Sequence, residues 1–96
     1  MIKYETMFIL KPGQEDDAYQ AVVEKFTTLI TDQGGEVTNV NHMGRRKLAY
    51  EVRKKFREGY YVLIHYTAEP SVTAELERNF KISDDVIRYL IVKEEE

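Results

Sequence analysis

Apolar residues recur along this chain at two periods, every second position in some stretches and every third or fourth in others. The order of those stretches constrains the fold more than any other feature. In residues 2–11, Lys3 and Glu5 cannot both be buried unpaired, so Tyr4, Thr6, Phe8 and Leu10 are expected to face a core, with Met7 and Ile9 pointing the other way. Pro12 and Gly13 end that strand. Glu15, Asp16 and Asp17 then put negative charge where a helix's first turn favours it. Ala18, Val22, Phe26, Leu29 and Ile30 follow at helical spacing up to the Gly34-Gly35 pair.

From Glu36 to about Val52 the pattern is strand-like but irregular. Val37 and Val40 lie three apart, which predicts a bulge or bend before Leu48, Tyr50 and Val52 resume the alternation. Lys54 to Gly59 reads as a charged hairpin loop leading into YYVLIHY, a β-branched and aromatic strand from Tyr60 to Tyr66. Glu69-Pro70-Ser71 opens a second helix with Val72, Leu76 and Phe80 at four-residue spacing, and VIRYLIVK makes the last strand. Strand, helix, strand, strand, helix, strand is the order of an α+β, ferredoxin-like domain: a four-stranded antiparallel sheet with two helices on one face. Residues 1–93 are read as this single domain, and Glu94, Glu95 and Glu96 as a solvated acidic tail.

Two helices cover one face of such a sheet and leave the other bare. Arg88 marks the bare side of the last strand, which puts Leu90 and Val92 there with Val86 at the strand entrance, and turns Ile87, Tyr89 and Ile91 inward. His65 likewise sends Tyr61 and Leu63 outward and Val62, Ile64 and Tyr66 inside. Joined by Met7 and Ile9, these residues predict an exposed apolar patch of a few hundred Å² or more, the scale of an interaction site.

The charge is as uneven as the hydrophobicity. Residues 45–57 carry Arg45, Arg46, Lys47, Arg53, Lys54, Lys55 and Arg57 against Glu51 alone, net +6, so the remaining residues of this net −3 chain stand at −9. Cations clustered around one hairpin suit a polyanion, most simply the phosphates of a nucleic acid, which such side chains follow without reading bases.

Other classes fare worse. The chain has no cysteine, so disulfides, thiol nucleophiles and thiolate metal sites are excluded. His42 and His65 have no carboxylate or cysteine at ligand spacing, which argues against a metal, a cofactor or catalysis. The first residues are apolar for too short a run to span a membrane and lack a secretory cleavage site, so a cytoplasmic protein is expected. An acyl-phosphate hydrolase needs a phosphate-cradling loop after the first strand, where Glu15, Asp16 and Asp17 would repel the substrate. No small-molecule substrate is expected.

The opening KYE with the following FILKP, the GRRKLAYEV segment, the strand start at Gly59-Tyr60 and the closing VIRYLIVK occur in the order of a known family. Over essentially its whole length the chain resembles the sixth protein of the bacterial small ribosomal subunit, and RKLAY is the most specific piece of the match. Met43 departs from the pattern, since many members carry tryptophan before the glycine, and the stacking surface of an indole is missing there. The resemblance implies a non-enzymatic protein that binds the central domain of small-subunit ribosomal RNA together with ribosomal protein eighteen, as a heterodimer. It also implies RNA-facing roles for Lys3, Tyr4, Lys81, Arg88 and Lys93, beside the seven cations of residues 45–57. Met7, Ile9, Tyr61, Leu63, His65, Leu90 and Val92 would form the face for the partner protein.

Two alternatives share the architecture. An RNA-recognition motif would stack bases on aromatics of the first and third strands, and residues 57–66 echo its third-strand signature faintly, with Glu58 shifting the register. A dimeric ligand sensor would use the same bare sheet face for self-association.

Overall fold

The computed structural model describes residues 1–52 and 56–94, with only the backbone described for residues 49–52. Strand β1 (Ile2–Leu10) is followed by helix α1 (Asp16–Asp32), strands β2 (Glu36–Val52) and β3 (Phe56–Ala68), helix α2 (Pro70–Ile82) and strand β4 (Val86–Lys93). All pairings are antiparallel in the sheet order β2-β3-β1-β4. The expected ferredoxin-like arrangement is therefore present.

Period-two patterning fixes which side of the sheet the helices cover. Tyr4, Thr6, Phe8 and Leu10 are buried as expected, opposite Tyr66, Ile64, Val62 and Tyr60 of β3. Phe8 meets Phe26 of α1 and Phe80 of α2 with ring centroids 5.4 and 5.1 Å apart, and those two helix rings lie 4.7 Å from each other, so three aromatics tie the sheet to both helices. Among the described residues Thr6 is the only buried polar one, and its hydroxyl donates to the Leu90 carbonyl at 3.3 Å.

In α1 the buried stripe is Tyr19, Val23, Phe26 and Ile30; Ala18, Val22 and Leu29, expected in the core, are only half-buried. Tyr19 causes the rotation. Its ring stacks on Tyr60 at 4.1 Å, while its hydroxyl donates to the Lys11 carbonyl at 3.1 Å and accepts from the Gln14 N–H at 3.3 Å. A tyrosine whose polar tip is satisfied by its own loop is free to sit at the centre of the apolar face. The helix ends where Gly34 takes a φ of +89°, a left-handed conformation that favours glycine. Helix α2 starts on Pro70 and buries Val72, Leu76 and Phe80 as the spacing predicts.

Two features depart from the expected strands. The segment expected as a loop from Lys54 to Gly59 is strand from Phe56 onward, so β2 and β3 form a longer hairpin whose register reaches Val52 opposite Phe56. In β4 the register on β1 slips: Ile9 pairs with Arg88 but Leu10 pairs with Val86, which leaves Ile87 as an extra, bulged residue. The bulge exchanges two side chains. Val86, expected on the bare face, is buried in the helix-side core, and Ile87, expected inward, packs beside Ile9 and Gly59. The irregularity expected in β2 is present as register shifts at Thr38 and Met43, the second followed by Gly44 at a φ of +87°.

Candidate nucleic-acid and protein interfaces

Strand β1 stops at Leu10, opposite Tyr60, but the β2–β3 pairing runs on through Arg46 with Gly59 and Lys47 with Glu58 to Val52 with Phe56. Beyond Tyr60 the hairpin is therefore a two-stranded ribbon that outruns the rest of the sheet. Arg46, Lys47 and Arg57 of the cationic segment lie on that ribbon, with Arg45 at its base. Strand alternation divides its charges: Arg45, opposite Tyr60, faces the helix side, Arg46 the bare side and Lys47 the helix side again. Arg46 and Lys47 are exposed, and neither is ion-paired with a described residue. Arg45 has a second task, because its guanidinium donates to the Gln14 carbonyl at 3.4 Å and ties the β1–α1 loop to the ribbon's base. Arg57 is exposed on the returning strand and is engaged by a neighbour. Arg53, Lys54 and Lys55 lie outside the described residues.

At the ribbon's root, the Tyr60 hydroxyl lies 2.8 Å from His42 Nδ1. Burial, and then the charge of Asp16, push its ionisation above the ordinary tyrosine range. His42 thus has a structural neighbour at the foot of the basic ribbon.

The remaining basic candidates do not join this cluster. Lys81 and Arg88 line one groove at the sheet end where Val86 meets Leu10, with Lys81 also 3.6 Å from Glu77. Lys3 and Lys93 lie at the other end of β1, about 20 Å away at the rise of an extended strand. Tyr4, expected to face RNA, is a core residue: it is 8% exposed and its ring stacks on Tyr66 at 5.4 Å.

The bare face has the apolar character expected of it. Two rows cross β3, β1 and β4, Tyr61-Ile9-Arg88 and Leu63-Met7-Leu90, followed by His65-Glu5-Val92. Leu90 and Val92 are 56% and 48% exposed, while Met7, Tyr61 and Leu63 are half-buried. A shallow groove runs between Met7, Ile9, Tyr61, Arg88, Tyr89 and Leu90. Ile9 is the exception: it points to this side but its neighbours bury it to 5% exposure, so it offers a partner little surface. No aromatic of β1 points outward, since Lys3, Glu5, Met7 and Ile9 occupy that side, so the paired stacking rings of an RNA-recognition motif are missing.

Local spacing gives His65 no carboxylate neighbour, yet the register brings it two. Glu5 is its cross-strand partner on β1. Glu94, expected in a solvated tail, is held by its N–H to the Lys3 carbonyl at 2.9 Å, and its carboxylate lies 2.8 Å from His65 Nδ1. Glu95 and Glu96 lie outside the described residues. No pattern along the chain could reveal a cluster of residues 5, 65 and 94; only strand pairing does.

Residues 3–93 match the family profile of ribosomal protein S6. The chain belongs to the ribosomal protein S6 family. Small ribosomal subunit protein bS6 of Moorella thermoacetica is 59% identical over all of this chain and 97% of its own length. The bS6 protein of Heliobacterium modesticaldum is 48% identical over all of this chain and 99% of its own. The crystal structure of ribosomal protein S6 from Thermotoga maritima superposes with a TM-score of 0.90, at 32% identity over 97% of this chain and 87% of that one. The C-terminal domain of the MgtC protein from Mycobacterium tuberculosis shares the fold alone, with a TM-score of 0.68 at 11% identity. As a member of the S6 family the chain is a small ribosomal subunit protein, in agreement with the expected ribosomal, cytoplasmic setting.

Proposed function

We propose that this S6-family chain has a structural, non-catalytic role in which it binds the central domain of small-subunit ribosomal RNA as a heterodimer with ribosomal protein eighteen. The reading rests on one observation above the others: Arg46, Lys47 and Arg57 sit on a ribbon that outruns the sheet, while the sheet's apolar face is left uncovered by the chain's own helices. A projecting ribbon reaches phosphates on either side of itself, because Arg46 and Lys47 point to opposite faces. The bare face offers Leu63, Met7, Leu90 and Val92 to an apolar protein surface.

Filter binding of a central-domain RNA fragment across a salt series, with and without protein eighteen, tests this reading. The expected result is tighter binding with the partner present, and an affinity that falls by roughly 0.7–0.9 log unit per log unit of salt for each phosphate neutralised. Salt-independent RNA binding would overturn it, and a stable homodimer with no RNA affinity would favour a self-associating sensor instead.

A further inference from the structure

We propose that Glu5, His65 and Glu94 form a binding site for one divalent metal ion of the zinc or cobalt class, on the bare face of the sheet at the end away from the basic ribbon. Backbone pairing holds the three residues in place. Glu5 and His65 are directly opposed on β1 and β3, and Glu94 extends β4 by one more hydrogen bond to β1, through its N–H and the Lys3 carbonyl. The potential ligand atoms all lie within 4.8 Å of one another. Nδ1 of His65 is 2.8 Å from Glu94 Oε1 and 3.9 Å from Glu5 Oε2.

Around a tetrahedral zinc ion with bonds of about 2.0–2.1 Å, ligand atoms stand about 3.3 Å apart. The Glu94 contact is shorter than that and the Glu5 contact longer, so one carboxylate must withdraw and the other advance by about half an ångström. The side chains of His65, Glu5 and Glu94 are 30%, 42% and 36% exposed, which leaves them room for that adjustment. Two carboxylates this close repel each other unless a cation stands between them. A divalent ion balances both and takes the imidazole nitrogen as its third ligand, leaving a fourth position to water.

Donor chemistry selects the ion. One nitrogen and two carboxylate oxygens suit zinc or cobalt, whereas calcium and magnesium favour six or more oxygen ligands. To bind the metal, Nδ1 of His65 must present its lone pair to the ion and give up its 2.8 Å contact with Glu94 Oε1. Lys3, on the same face in the next row, is the nearby cation that opposes the metal.

Isothermal titration of the full chain with zinc chloride, cobalt chloride and magnesium chloride tests the proposal. One zinc ion per chain and at least tenfold weaker binding of magnesium are expected. Glu94→Gln changes a residue beyond the last strand and leaves the fold intact; it and His65→Ala are each expected to weaken zinc binding at least tenfold, with His42→Ala unchanged. Zinc affinity unaltered by Glu94→Gln and His65→Ala, or no zinc uptake by the unsubstituted chain, would overturn the site. Neither outcome bears on RNA binding, which is read separately.

Discussion

Gly59 lies directly beneath Ile9 across the β1–β3 boundary, so close that a methyl group on the glycine would collide with Cγ2 of the isoleucine and stand 3.2 Å from the Leu10 carbonyl. This glycine of β3 is thus required by packing, since its own φ is not in the left-handed region. Gly59→Ala is expected to destabilise the fold by about 1–3 kcal/mol, as overpacking does. Ile9→Ala in the same chain should restore part of that stability, and a double-mutant cycle by urea unfolding measures the coupling. Additive effects would show that the two residues do not meet.

Phe26 joins Phe8 and Phe80 in the cluster that binds both helices to the sheet. Phe26→Ala is expected to cost about 3–5 kcal/mol, a large share of the roughly 5–15 kcal/mol that holds such a domain together. Thermal unfolding followed by circular dichroism gives the value.

The Tyr66 hydroxyl is held above the ordinary tyrosine range by burial, with the hydrogen bond to Thr73 partly offsetting it and Tyr4 adding to it. Its folded-state value exceeds the unfolded one, so the unfolded chain releases this proton first. The stabilisation is complete below the unfolded value of about 10 and is lost as pH rises through the folded value. Urea midpoints are therefore expected to be level approaching pH 10 and to fall beyond it. Absorbance titration of tyrosinate should show a late-ionising fraction that disappears in denaturant.

Arg46 and Lys47 are exposed and make no ion pair with a described residue, so Arg46→Glu with Lys47→Glu is expected to lower RNA affinity and flatten its salt dependence by roughly 0.7–0.9 for each phosphate no longer neutralised. Stability should shift by only about 0.5 kcal/mol. Arg45→Glu differs, because it also releases the loop tied at the Gln14 carbonyl. Hydrogen exchange at residues 11–15 should accelerate in that variant and stay unchanged in the Arg46 and Lys47 pair.

Leu90 is more than half exposed on an edge strand, and Leu90→Asp is expected to cost about 1 kcal/mol or less in stability. Capture of protein eighteen should nevertheless fall at least tenfold. Unimpaired pairing, measured by co-purification and by titration, would remove the bare face from the partner interface.

The order of the elements, both helix stripes in outline and the faces taken by β1 and by residues 61–66 of β3 are all legible in the amino-acid sequence. Apolar spacing is a local property, and Tyr4, Thr6, Phe8 and Leu10 display it within one strand. Local spacing also announces the irregular β2, since Val37 and Val40 cannot share a regular strand face at an interval of three. It misleads at the start of β4, because a bulge at Ile87 moves Val86 into the core and no composition signals a slipped register. Tyr19 is likewise invisible to it, since only the loop that returns to its hydroxyl makes a tyrosine the centre of an apolar stripe.

How the candidate residues divide among surfaces is a property of the folded chain. Folding sets the cations of residues 45–47 on and at the base of a projecting ribbon, leaves Lys3 and Lys93 at the opposite end of the sheet, buries Tyr4, and brings together Glu5 of β1, His65 of β3 and Glu94 just beyond β4. The difference lies in the range of the interactions. Side-chain periodicity is set by a residue's immediate neighbours, whereas pairing register is set between distant segments, as in the bond that joins Thr6 to Leu90 across a sequence separation of 84.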